Sequence, residues 1–184
     1  WIVFFESYTG TTFEVRARVF DASGTAVGSD FAVNTTNANA GSGSPFGFQA
    51  AALSNGGVVV TWQSTDGGTD NNIRYRLLDS TGAVVGSADA LVNTVTYGGQ
   101  RNPIVRAMPD GRLAFVWQSF ESTGTTGANV TDTIRGRIMN ADGTWADGAE
   151  TVLTTMTDSA PVFADMRVLP NGQLVLVAQG ANTS

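Results

Sequence analysis

The residues able to do chemistry in this chain are few in kind. Sixteen Asp and Glu stand against ten basic residues, every one of them Arg, and Lys, His and Cys are absent. Without Cys there is no thiol nucleophile, no disulfide and no Cys-ligated zinc. Without His the commonest general base and metal ligand is missing. No G-x-S-x-G turn is present, and no imidazole could serve a Ser nucleophile. Carboxylate chemistry remains. Two acids about 5–9 Å apart can cleave a glycosidic bond, and Asp66 with Asp70, or Glu121 with Asp132, could be such a pair. Any acidic chain offers such pairs, so the expectation is a protein that is not an enzyme.

Carboxylates also bind hard cations. The loop "STDGGTDNN" from Ser64 offers Asp66, Asp70 and Asn71 as oxygen ligands, and Gly67 and Gly68 permit a tight wrap. Such a loop could hold a calcium ion. The equivalent loops, "SYTGTTFE" and "SFESTGTTGANVTD", do not repeat the acidic spacing, so a solvated turn is the plainer reading. No other cofactor is expected.

The Arg residues come in pairs two apart: Arg16/Arg18, Arg74/Arg76 and Arg135/Arg137. In a strand that spacing puts both guanidiniums on one face. They could clamp an acidic glycan. Their recurrence favours a structural role, bonding to Glu6, Gln63, Gln118, Asp21 or Asp79, because Arg suits part-buried pairing. Trp62 and Trp117 close apolar runs and read as core rather than as sugar platforms. Tyr8, Tyr97, Phe120 and Trp145 fall in or near loops and are the better candidates to bind a ligand such as a sugar.

The elements that must position these groups are legible as a repeat. A turn signal followed by an apolar run appears as "LSNGGVVVTWQS" from Leu53, "MPDGRLAFVWQS" from Met108 and "LPNGQLVLVAQG" from Leu169. Asn-Gly or Asp-Gly sits at the same place each time, which predicts a two-residue hairpin turn. Each Arg pair follows on its own strand, as in "IRYRLLDSTG" from Ile73, and a "VNT" segment follows at Val33 and Val92, with "ETVLT" as a looser copy. A further strand, beginning near Pro45, Pro103 and Pro161, precedes each hairpin. The apolar runs start at residues 1, 58, 113 and 174, and no 3.6-residue stripe is visible.

Strands such as "VVVTWQS" are apolar on both faces and must be covered on both. Four-stranded units packed face to face around an axis achieve this, so the predicted fold is all-β, a β-propeller-like array of about three blades, incomplete at both ends. The repeats divide the chain as 1–57, 58–112, 113–173 and a partial 174–184. Flanking repeats of a longer tandem protein, or another chain, are expected at the open edges.

Composition narrows the partners. With 42% apolar residues the chain can build a core, and its net charge of −6 argues against nucleic acid or an anionic membrane. No apolar run reaches membrane-spanning length.

The order of phrases, an apolar "VVTWQS" run after an Asn/Asp-Gly turn, then an Arg strand, "D-x-x-G" and "VNT", resembles the tandem repeats of large secreted hemolysin-type calcium-binding and adhesin-like proteins of Gram-negative bacteria. The resemblance spans the whole chain and is carried by Val58–Ser64, Leu113–Ser119, the Arg pairs and the two "VNT" segments. It implies export, an extracellular or cell-surface location, and a structural or adhesive role. The glycine-rich calcium nonapeptide of such proteins is absent here. A glycan-binding, lectin-like propeller, with or without calcium, is the alternative.

Overall fold

The computed structural model describes residues 1–36, 47–65, 70–122, 130–156 and 162–179, and every regular element among them is a strand. The first sheet holds β1 (Ile2–Tyr8), β2 (Phe13–Phe20) and β3 (Ala26–Ala32). The second holds β4 (Phe48–Ala52), β5 (Val58–Thr65), β6 (Asn71–Leu78) and β7 (Val84–Leu91). The third holds β8 (Gly99–Ala107), β9 (Leu113–Ser122), β10 (Val130–Met139) and β11 (Thr151–Met156). The fourth is the pair β12 (Val162–Val168) and β13 (Leu174–Gln179). Within each sheet the strands follow chain order, all antiparallel. The sheets stack as an open propeller-like array. Their boundaries fall one strand ahead of the sequence repeats, because the strand before each hairpin pairs with the apolar run after it.

Local chemistry sets the turns. Leu53 N–H bonds to the Gly57 carbonyl and Gly56 N–H to the Leu53 carbonyl, with Gly56 at φ 84°. This corrects the two-residue turn to a three-residue loop: a type I turn followed by a left-handed glycine in a bulge. Asn55 does not need positive φ; its side chain accepts the Gly57 N–H instead. Gly111 and Gly172 repeat the arrangement at φ 85° and 83°. Proline is also placed differently from expectation. Pro103 lies inside β8, at a register break between Arg101 and Ile104, where its missing N–H is tolerated. Pro45 and Pro161 lie outside the described residues.

The core lies between the sheets. Val60 and Trp62 of β5 pack on Val15, Ala17 and Val33 of the first sheet. Val59, on the other side of the same strand, packs on Val105, Phe115 and Trp117 of the third. Ala114 and Val116 meet Met166, Leu174 and Leu176 of the fourth. Covered on both faces, β5 buries Thr61, Gln63 and Ser64 along with its valines and Trp62, and each fully buried large apolar side chain contributes roughly 1.5–3 kcal/mol.

The "VNT" segments tie each sheet to the next. Asn34 accepts the Val15 N–H within its own sheet at 2.7 Å. Thr35 and Thr36 then donate backbone N–H groups to Asp89 of β7 at 2.8–3.0 Å, and the Thr36 hydroxyl donates at 2.6 Å. The second instance uses Asn93 on Ile73 N–H, and Thr94 and Val95 on Glu150 at the edge of β11. Here the Thr94 hydroxyl also donates to the Glu150 carboxylate. Each tie carboxylate is backed by an arginine: Arg76 lies 3.2 Å from Asp89, and Arg135 lies 3.5 Å from Glu150.

One arginine of each pair thus bonds an acid in or just before the strand that follows, rather than Asp21 or Asp79. Those two carboxylates are taken by their own turns, through the N–H and hydroxyl of Ser23 and of Thr81. In the first sheet Arg16 pairs with Glu14 and Asp30 at 2.6 Å each. Arg18 lies over Phe20, and Arg74 reaches the Asp89 carbonyl. Arg137 sits 4.0 Å over the Trp145 ring and donates to the Val92 carbonyl.

Candidate functional site on the innermost strands

The leading strands β4, β8 and β12 lie beside one another, with β8 in contact with both of the others. Residues on them are the ones an axial ligand would meet. Arg106 of β8 joins all three strands: Nη1 donates to Gln49 Oε1 of β4, Nη2 to Asp165 Oδ1 of β12, and Nε to the Met166 carbonyl, each at 3.2 Å. Arg167 adds a second cation 2.7 Å from the Asp165 carboxylate. Partial burial pushes the Asp165 carboxyl up, but the Met166 N–H and the two guanidiniums outweigh it and hold it below the usual range. Asp165 is therefore a fixed anion, suited to act as a base or to stabilise positive charge, and not as a proton donor.

The start of β8 is the more unusual feature. Asn102, at φ 51°, is the sole non-glycine residue with positive φ among the described residues. It sits in the register break beside Pro103, and its amide donates to Gln118 Oε1. Asn enters the left-handed region more readily than other side chains, and such positions are found at turns and at functional sites. The break turns the neighbouring Arg101 outward, its guanidinium 4.7 Å from the centre of the Phe120 ring. Gln100, fully buried, accepts the indole N–H of Trp117 at 3.0 Å and donates to the Tyr97 carbonyl. Asp70 accepts the Gly98 N–H at 3.1 Å. Tyr97 itself is 53% exposed.

Of the ligand candidates read from sequence, Tyr97 and Phe120 both lie by the start of β8, at the end of the sheets that carries the β5–β6 and β9–β10 connections. Tyr8 is exposed at the same end of the first sheet, its ring against Phe13. Trp145 lies at the opposite end, half-buried against Tyr75 and Phe115 under Arg137. Trp62 and Trp117 are 1% and 0% exposed. Among the calcium candidates Asp66 lies outside the described residues, Asn71 is buried at the start of β6, and Asp70 is engaged by Gly98. No group of three metal-ligating residues occurs among the described residues. Glu121 pairs in register with Thr131, and Asp132 with Phe120, so these two acids share no cross-strand pair. Sequence reasoning missed Arg101, Asn102, Arg106 and Asp165. Only the "RNP" break in an otherwise apolar strand could have signalled the first two.

No protein-family model matches the chain, and no curated protein matches it. Solved structures do. The endo-arabinase of Bacteroides thetaiotaomicron VPI-5482 matches all of this chain and 67% of its own, at 16% identity and TM-score 0.53. The alpha-L-arabinanase of Penicillium chrysogenum, solved with arabinobiose, matches 96% of this chain and 52% of its own, at 14% identity and TM-score 0.57. NanB, solved with Optactamide, matches 99% of this chain and 26% of its own, at 17% identity and TM-score 0.50. The chain thus spans two thirds of the first, half of the second and a quarter of the third. At such identities the likeness is one of fold, the β-propeller. It nonetheless corrects the expectation of a chain that is not an enzyme. This fold is the fold of arabinan-cleaving enzymes, and the missing His and Cys have no bearing on chemistry that two carboxylates perform.

Proposed function

We propose that this chain is a carbohydrate-directed propeller segment that takes a glycan at the mouth formed by Tyr97, Arg101, Asn102 and Phe120. The observation that carries the reading is the left-handed Asn102 on an innermost strand. Asn102 stands next to Arg101, whose exposed guanidinium lies over the Phe120 ring, and the exposed Tyr97 lies at the same end of β8. Sugars are recognised by this combination: a flat ring against the C–H face, and fixed donors for the hydroxyls. The fold shared with arabinanases supports the reading.

Arg106 and Asp165 would form the floor of this site. The guanidinium is fully engaged, so its role is to hold three strands and one ionised carboxylate in place. The carboxylate is the group that could face a sugar hydroxyl or an anomeric centre.

Titration calorimetry with arabino-oligosaccharides and a broader set of neutral and acidic glycans, alongside a reducing-sugar release assay, tests the proposal. Binding or cleavage that falls at least tenfold in Tyr97→Ala and Arg101→Ala, with unfolding midpoints unchanged, is the expected result. Absence of both binding and release for every glycan class would overturn it.

A further inference from the structure

Resting on the glycan reading above, we propose that the sugar taken at this mouth is an acidic one, its carboxylate paired with the guanidinium of Arg101. Nearly every arginine has an acceptor of its own. Arg16, Arg76, Arg106, Arg112, Arg135 and Arg167 each lie within 3.5 Å of a carboxylate, and Arg74 and Arg137 donate to carbonyls. Arg18 rests on the Phe20 ring, and the Asp30 carboxyl is held low by Arg16 and then by Arg18. Arg101 has neither a carboxylate nor a carbonyl acceptor among the described residues, and it is exposed.

Its guanidinium is nevertheless held in place. It lies over the Phe120 ring, 4.7 Å from the ring centre, and against Gly99, the register partner of Phe120. A Cβ on Gly99 would stand 3.2 Å from Arg101 Nε and 3.5 Å from Nη2. Gly99, unlike Gly98, has no positive φ that calls for glycine. What its missing side chain provides is room for the guanidinium. The second sheet repeats neither the cation nor the ring. Gly47 stands opposite Gln63 where Arg101 stands opposite Gln118, and Thr65 takes the place of Phe120.

A guanidinium stacked on a ring keeps its N–H edge open, and that planar fork matches a carboxylate with two parallel bonds. A neutral sugar offers single hydroxyls, which an amide would serve as well. The net charge of −6 gives an anion no long-range attraction. A preference for acid must therefore come from contact with this one group.

The test is titration calorimetry of the intact chain with an oligogalacturonide and an oligoglucuronide. Each is run beside the same compound with its carboxyls reduced to alcohols, and arabino-oligosaccharides are run alongside. At least one acidic probe is expected to bind about tenfold more tightly than its reduced form. Arg101→Gln, which keeps a donor without the charge, should remove that difference while the unfolding midpoint stays unchanged. Gly99→Ala should lessen it with the arginine still present, because the added methyl presses on the guanidinium. Equal or tighter binding of the reduced and neutral probes would overturn this proposal and leave the glycan reading standing. So would a preference for acid that survives Arg101→Gln. Binding of no glycan, neutral or acidic, would overturn both.

Discussion

The second and third sheets are near copies in plan, yet they differ at their outer strands, where the register shifts fall at different places, and at their leading ones. Their apolar strands, arginine strands, hairpin loops and tie carboxylates superimpose by register, position for position. Their leading strands do not. β4 has five residues paired without interruption, whereas β8 has nine and breaks register at Asn102 and Pro103. The two buried tryptophans report the same difference. Trp117 donates its indole N–H to Gln100, while the Trp62 N–H has no partner among the described residues. Repetition here specifies a scaffold, and the register break of β8 departs from it on a strand that β4 and β12 both touch.

The comparison can be broken most directly at the tryptophans. Trp117→Ala should destabilise by about 3–5 kcal/mol. It should exceed Trp62→Ala by about 1 kcal/mol, because it also strands the buried Gln100 amide. Urea unfolding of both variants measures this, and equal losses would mean that the hydrogen bond of the third sheet adds nothing to the shared scaffold.

The tie carboxylates come next. Asp89→Asn leaves Arg76 buried opposite a neutral amide and should cost about 3 kcal/mol, with Arg76→Met milder than that. The exposed counterpart Asp30→Asn should shift the unfolding midpoint far less. Comparable effects for Asp89 and Asp30 would remove the distinction between a filled and an unfilled tie.

Glu150 sharpens the comparison through pH. Burial pushes its carboxyl up from 4.5, but the Thr94 hydroxyl and the Val95 and Thr94 N–H groups outweigh that and leave it depressed. The folded state therefore binds this proton less well than the unfolded chain does. The stability it contributes is complete above the ordinary value of 4.5 and is lost as pH falls through the folded value. Thermal unfolding between neutral pH and pH 3 should show this decline, and Glu150→Gln should flatten it.

The smallest effect is expected at the site itself. Asn102→Gly relieves the left-handed strain but loses the bond to Gln118, so its stability should lie within about 0.5 kcal/mol of wild type. Glycan binding should nevertheless weaken. A large stability change would recast Asn102 as a structural residue.

The reading from sequence reached the scaffold because scaffold residues repeat. The glycines after Asn55, Asp110 and Asn171, the doubly apolar strands and the Arg pairs each occur in register, and each encodes a local rule. The hairpin loop was one residue longer than read, since a type I turn with a bulge glycine uses the same Asn-Gly signal. The sheet ties were not legible. Asp30, Asp89 and Glu150 occupy matching positions, but an acid three residues before a "VNT" segment has no meaning until the next sheet is laid against it. The mouth was legible only in Tyr97 and Phe120. Nothing in the residue type of Asn102 signals its positive φ, and Arg106 and Asp165 gain their relation only when three distant strands lie side by side.

The ties have a consequence for how the molecule opens. Each one links a sheet only to its successor, so local stability should fall along the stack as in a one-dimensional chain of coupled units. The fourth sheet, two strands resting on β8 and β9, carries no such carboxylate among the described residues. Native-state hydrogen exchange should therefore find the amides of β12 and β13 exchanging through a low-energy partial opening. Those of β5, β6, β9 and β10 should wait for global unfolding.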